Sequence, residues 1–104
     1  MIKIKLTKEN FEEVVYGSEG LVLIDFWAEW CEPCQMLSRE LDKIEAEGLD
    51  DLIIGVVDVD EDPELSAKFK IFSLPTLILM KNGEICETIV GYYPHEHILS
   101  CLAK

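Results

Sequence analysis

The sequence predicts an α/β fold, three layers with a central mixed β-sheet flanked by helices, on three observations. Leu21 to Phe26 and Leu52 to Val59 are nearly continuous apolar runs, the pattern of strands covered on both faces. Segments with helical spacing separate these runs. A third run, Thr76-Leu77-Ile78-Leu79-Met80, is followed by Asn82-Gly83, a pair favoured in two-residue hairpin turns. Helix-linked strands pair in parallel and a hairpin pairs antiparallel, so the sheet is mixed.

In order along the chain, Ile2 to Leu6 alternates as a short edge strand with its even positions toward a core. Thr7 is placed to cap a helix whose apolar face is Phe11, Val14 and Val15, ended by Gly17-Ser18-Glu19-Gly20. The strand Leu21 to Phe26 follows, with Asp25 as its one polar residue. Met36, Leu37, Leu41 and Ile44 recur at helical spacing, and Gly48 marks the end of that helix. After the strand at 52–59, Asp62 and Pro63 read as cap and first-turn residue of a short helix to Phe69. Ile85 to Val90 is the second hairpin strand, with Ile85, Glu87 and Ile89 on one face and Cys86, Thr88 and Val90 on the other. Pro94 to Leu102 forms the last helix through Ile98, Leu99 and Leu102. The order is βαβαβαββα, in one domain spanning 1–104.

Composition excludes several classes of function. The net charge of -12, from 21 acidic and 9 basic side chains, repels phosphate backbones and anionic membrane, so neither nucleic acid nor membrane is expected as a partner. No run of 18 apolar residues occurs, and the first residues lack the apolar core of a signal peptide, so a cytoplasmic location is expected; a monomer is expected as well.

The chemistry concentrates in Trp30-Cys31-Glu32-Pro33-Cys34, directly after the first apolar run. A strand delivering two cysteines to the start of a helix puts Cys31 where unpaired N–H groups and the helix dipole favour a thiolate. Cys31 then attacks a substrate disulfide as the exposed nucleophile, and the shielded Cys34 resolves the mixed disulfide. Pro33 fits the first turn without losing a hydrogen bond. The same spacing also serves structural disulfides and zinc sites. Zinc requires two further ligands, and the chain has no second such pair and no standard histidine pair at His95 and His97, which are expected at the surface. Cys86 and Cys101 are expected as core thiols.

Asp25 lies six residues before Cys31. A carboxylate in a covered strand needs a partner or a raised pKa, and this one is placed beneath the dithiol to exchange a proton with Cys34. The alternative is a strand-end carboxylate that reaches solvent. Trp27 reads as core packing, whereas Trp30 offers a flat docking surface for a protein substrate.

With these residues in view, Asp25-Phe26-Trp27-Ala28-Glu29-Trp30-Cys31-Glu32-Pro33-Cys34 resembles the active-site segment of the thioredoxin family. Leu74-Pro75-Thr76 resembles the family's cis-proline loop, and Lys81-Asn82-Gly83 and Val90-Gly91 its hairpin and glycine, so the resemblance spans the chain. It implies that Cys31 is nucleophile, Cys34 resolver and Asp25 proton acceptor. It further implies that Pro75 is cis and faces the dithiol across a groove formed with Trp30, Ser73, Leu74 and Gly91. No bound cofactor is implied, and electrons would come from a thioredoxin reductase, either flavin-containing or ferredoxin-dependent.

The departures concern tuning. Glu32 stands where the family usually has glycine, and its charge opposes a Cys31 thiolate, so a dithiol at least as reducing is expected. Val56 stands where a lysine near the aspartate is common, Gln35 replaces a basic residue, and Arg39 replaces a helix-kinking proline. The leading function is reduction of protein disulfides through a reversible Cys31–Cys34 disulfide. The alternatives are a specialised electron donor for one partner enzyme and an interaction module with little redox turnover.

Overall fold

The structure is a computed structural model that describes residues 2–103. Five strands, β1 (Ile2–Lys5), β2 (Leu21–Trp27), β3 (Leu52–Asp58), β4 (Thr76–Lys81) and β5 (Glu84–Val90), form one sheet in the order β1-β3-β2-β4-β5. The β1–β3 and β2–β3 pairs are parallel, and β2–β4 and β4–β5 are antiparallel, so the sheet is mixed as expected. Helices α1 (Glu32–Ala46), α2 (Pro63–Lys68) and α3 (His95–Leu102) complete the layers.

Side-chain alternation on β2 divides the core. Leu23 joins Leu37, Leu41 and Ile44 of α1 and Ile98 and Cys101 of α3 on one face. Val22, Ile24 and Phe26 join Phe11, Val15 and Leu65 on the other. Both faces of β2 are therefore buried, which is why its sequence is a continuous apolar run rather than an alternating one. Asp25 shares the α1 face with Leu23 by the two-residue period of a strand. On β3, Gly55 lets the Leu6 side chain lie against the backbone, since a Cβ there would clash with Leu6 Cδ1.

Several local expectations need correction. The first helix is a five-residue π-helical segment, Glu12–Tyr16, and Asn10 rather than the Thr7 side chain organises its entry. Asn10 Oδ1 accepts from the Thr7 N–H at 2.7 Å, and Asn10 Nδ2 donates to the Lys5 carbonyl. Asp62 precedes α2 without a capping hydrogen bond from its side chain.

The largest change is on β5. Leu79 pairs with Glu87 but Met80 pairs with Ile85, so a bulge breaks the register. A bulge inserts one residue into a strand and shifts those beyond it to the opposite face. Ile85 accordingly lines a surface hollow with Thr88 and Val90, while Ile89 is buried. Cys86 is an exposed thiol and not a core residue; Cys101 is buried as expected. Asn82 and Gly83, both at positive φ, make the hairpin turn.

Candidate functional site

The carboxyl end of β2 leads into α1, and the dithiol occupies that junction. Cys31 is the N-cap residue of α1 in extended conformation, and its sulfur accepts the Cys34 N–H at 3.3 Å. Glu32 and Pro33 fill the first two helical positions, where proline's missing N–H costs nothing. Cys34 follows on the first turn, and a disulfide joins the two cysteines with their Cα atoms 5.3 Å apart.

Cys31 was expected to be exposed, but both cysteines are buried, at 5% and 1% exposure. The pair packs with Ala28 against Trp27, Val59 and Leu74. The surface around this oxidised pair is therefore made by its neighbours. Trp30 supplies much of it: the ring is 70% exposed, and its Nε1–H donates to Asp60 Oδ2 at 2.8 Å. A recess beside it is lined by Glu29, Asp58, Asp60 and Glu61, so the approach on this side is acidic. Gln35 Nε2 donates to the Glu29 carbonyl at 2.8 Å and braces the segment before the dithiol.

The loop before β4 meets the dithiol from the other side. Leu74 is half-buried against it, Ser73 is exposed, and the Leu74–Pro75 peptide is cis. The Ser73 carbonyl accepts the Thr76 hydroxyl at 2.6 Å, and the Pro75 carbonyl accepts the Gly91 N–H at 2.8 Å. Gly91 has φ +98°, a conformation that L side chains rarely adopt, although a Cβ there would meet nothing within 4 Å. Backbone geometry rather than crowding by the protein therefore accounts for this glycine.

Asp25 is 3% exposed, and its Oδ1 is buried with no hydrogen-bond partner among the described residues. Burial pushes its pKa up to about 7, with the nearby charge of Lys3 acting in the opposite direction. The carboxyl lies at a cleft of about 410 Å³ also lined by Lys3, Trp27, Cys34, Gln35, Ser38, Arg39 and Val56. Asp25 and Cys34 thus line the same cleft. The reading of Asp25 as a carboxylate reaching solvent at a strand end is not what the structure shows.

Three residues escaped the sequence reading. Phe72, at 92% exposure, stands beside Ser73 and Leu74, and an exposed aromatic next to a proline loop was its available signal. Lys3 reaches the Asp25 cleft from an edge strand, which only the strand order reveals. Glu40 is buried on α1 and accepts the His95 N–H at 2.8 Å and the His95 ring at 3.0 Å, tying α3 to α1. Its pKa falls to about 2, first through Lys43, whose Nζ lies 2.9 Å away, and then through His95. His95 is consequently half-buried, whereas His97 is exposed as expected. Among the described residues no helix is long and apolar enough to cross a membrane.

The family model for thioredoxin matches residues 2–104. A thioredoxin of Listeria monocytogenes is 47% identical over 104 residues, covering 100% of this chain and 98% of the relative. A thioredoxin of Bacillus subtilis is 41% identical over the same share of both chains. A thioredoxin of Buchnera aphidicola is 42% identical over 88 residues, covering 85% of this chain and 82% of its own. A cysteine pair at the start of α1, on a five-stranded mixed sheet and in a sequence matched along its length, places this chain in the thioredoxin family of disulfide-reducing thiol–disulfide oxidoreductases.

Proposed function

We propose that the chain acts as one domain that reduces disulfides of other proteins in the cytoplasm, with Cys31 as nucleophile, Cys34 as resolving thiol and Asp25 as proton acceptor. In the dithiol state the Cys31 thiolate attacks one sulfur of a substrate disulfide. The substrate's other sulfur leaves as a thiolate, and a Cys31–substrate disulfide forms. Asp25 takes the Cys34 proton, directly or through water in the shared cleft. The Cys34 thiolate then attacks Cys31 Sγ, the second substrate thiolate leaves, and two electrons have passed to the substrate. What remains is the Cys31–Cys34 disulfide.

The observation that carries this reading is the Cys34 N–H bound to Cys31 Sγ at the helix start. The donor that holds the sulfur in the disulfide would stabilise its thiolate in the dithiol. Glu32, exposed on the first turn, tunes the pair by opposing that charge, and Pro33 stiffens it. Trp30, Ser73, Leu74, Pro75 and Gly91 form the substrate surface, where an extended segment docks by strand-like hydrogen bonds. No bound cofactor takes part, and a flavin-containing or ferredoxin-dependent thioredoxin reductase returns the electrons.

Replacing Cys34 with serine and incubating the reduced variant with a disulfide-bonded protein tests the assignment. A stable mixed disulfide through Cys31, absent from Cys31→Ser, supports it; no adduct in either variant overturns it. The acidic recess beside Trp30 favours one second reading, a donor specialised for a partner with a basic docking face. Turnover with insulin compared with a basic protein substrate separates the two. A scaffold with little redox turnover has no such support.

A further inference from the structure

Resting on the assignment of Asp25 to the proton step, we infer that Lys3 is a positioning residue for that step: from β1 it supplies the positive charge facing the Asp25 carboxyl, and its ion pair with Asp42 holds that charge at the cleft mouth.

Strand order carries the inference. β1 is paired with β3, Lys3 opposite Ile54, and β3 with β2, Val56 opposite Asp25. In register Val56 stands between Asp25 and Lys5, and Lys3 lies two residues back on the same strand face; Asp25, Val56 and Lys3 all line the same space. Val56 brings no charge. Lys3 Nζ lies 2.9 Å from Asp42 Oδ1 on α1, with its side chain only 27% exposed. Lys5, the next lysine on β1, is engaged elsewhere with Glu61.

Each element packed around Asp25 contributes groups to its surroundings. α1 contributes Cys34, Gln35, Ser38 and the exposed Arg39; β2 contributes Trp27; β3 contributes Val56; and β4 pairs Leu77 with Asp25. Among the described residues, Lys3 and Arg39 are thus the two cations lining the cleft. Lys3 is the better placed, because it is less exposed and is the cation whose field opposes the effect of burial on the Asp25 carboxyl. A fixed positive charge there makes Asp25 a readier proton donor at neutral pH and a weaker acceptor. The position of Lys3 therefore selects the pH at which the carboxyl can work. Asp42 acts through Lys3: it draws the ammonium outward and neutralises part of its charge.

The test is the titration of the Asp25 carboxyl by carbon-13 NMR in the oxidised full-length chain, where Cys34 is in the disulfide and does not titrate. Lys3→Met should move the midpoint upward by about half a unit or more, the effect of one charge across a wet cleft. Lys3→Arg should retain the wild-type midpoint, Asp42→Asn should lower it, and Arg39→Met should move it less than Lys3→Met. An unchanged midpoint in Lys3→Met, or an Arg39→Met effect as large, overturns the inference. Asp25→Asn separates this from the functional reading. If the pH profile of disulfide reduction is unaltered in Asp25→Asn, the proton role of Asp25 falls, while the carboxyl titrations still decide the place of Lys3.

Discussion

Asp25→Asn should abolish a pH dependence of stability that the wild-type chain displays. The Asp25 pKa is raised from 3.8 to about 7, because burial to 3% exposure penalises the carboxylate. A group whose folded pKa lies above its unfolded value binds a proton more tightly in the folded chain. Stability therefore falls as pH rises from about 4 to about 7, by about 1.4 kcal/mol per pH unit and about 4 kcal/mol in all. The asparagine amide brings its own burial cost, but that cost does not vary with pH. Urea unfolding of the oxidised protein at several values between pH 4 and pH 8 isolates the titrating part. The variant's stability relative to wild type should grow by about 4 kcal/mol across the window and level off above it. Parallel curves for the two proteins would show that Asp25 titrates alike folded and unfolded, and the reasoning from burial would be wrong.

Three further perturbations follow from the same geometry. Glu32→Gly removes a negative charge beside Cys31 and should make the dithiol a weaker reductant by about 15 mV, as half a unit of thiolate stabilisation converts; an unchanged or more reducing pair in the glutathione equilibrium would refute the electrostatic account. Trp30→Ala deletes a ring that is 70% exposed, so it should raise KM for protein disulfides while leaving the thermal midpoint close to wild type; equal KM values would remove Trp30 from the docking surface. Glu40, with its pKa held down near 2, stabilises the folded chain above about pH 4.5, and this is lost as pH falls toward 2. Glu40→Gln should therefore lower the thermal midpoint at pH 7, with the difference from wild type closing in acid; a difference independent of pH would assign Glu40 a packing role only.

The elements legible in the sequence were those whose pattern depends on their own burial. β2, β3 and β4 are covered on both faces, so they read as apolar runs; Asn82-Gly83 declares its turn because both residues need positive φ. The dithiol and Asp25 were legible for a related reason, since a thiol pair at a helix start and a carboxylate in a buried strand each contradict their surroundings. What escaped notice depends on pairing between distant segments. Glu40 occupies an outward-reading position between Leu37 and Leu41, and its burial follows from α3 laying the His95 N–H on it across 55 residues. Cys86 is exposed together with Thr88 and Val90 on β5, the edge strand beside β4, and its residue type alone does not reveal that. Lys3 reached the site through the order of strands, where β1 lies beyond β3 rather than next in line.

Equilibration of the Cys31–Cys34 pair against glutathione at pH 7 tests the central claim, that this dithiol gives electrons to protein disulfides. For thioredoxin itself the potential is about -270 mV, and Glu32 beside Cys31 predicts a value at or below that. A potential near about -180 mV or higher, in the range of disulfide-forming oxidants, would contradict it.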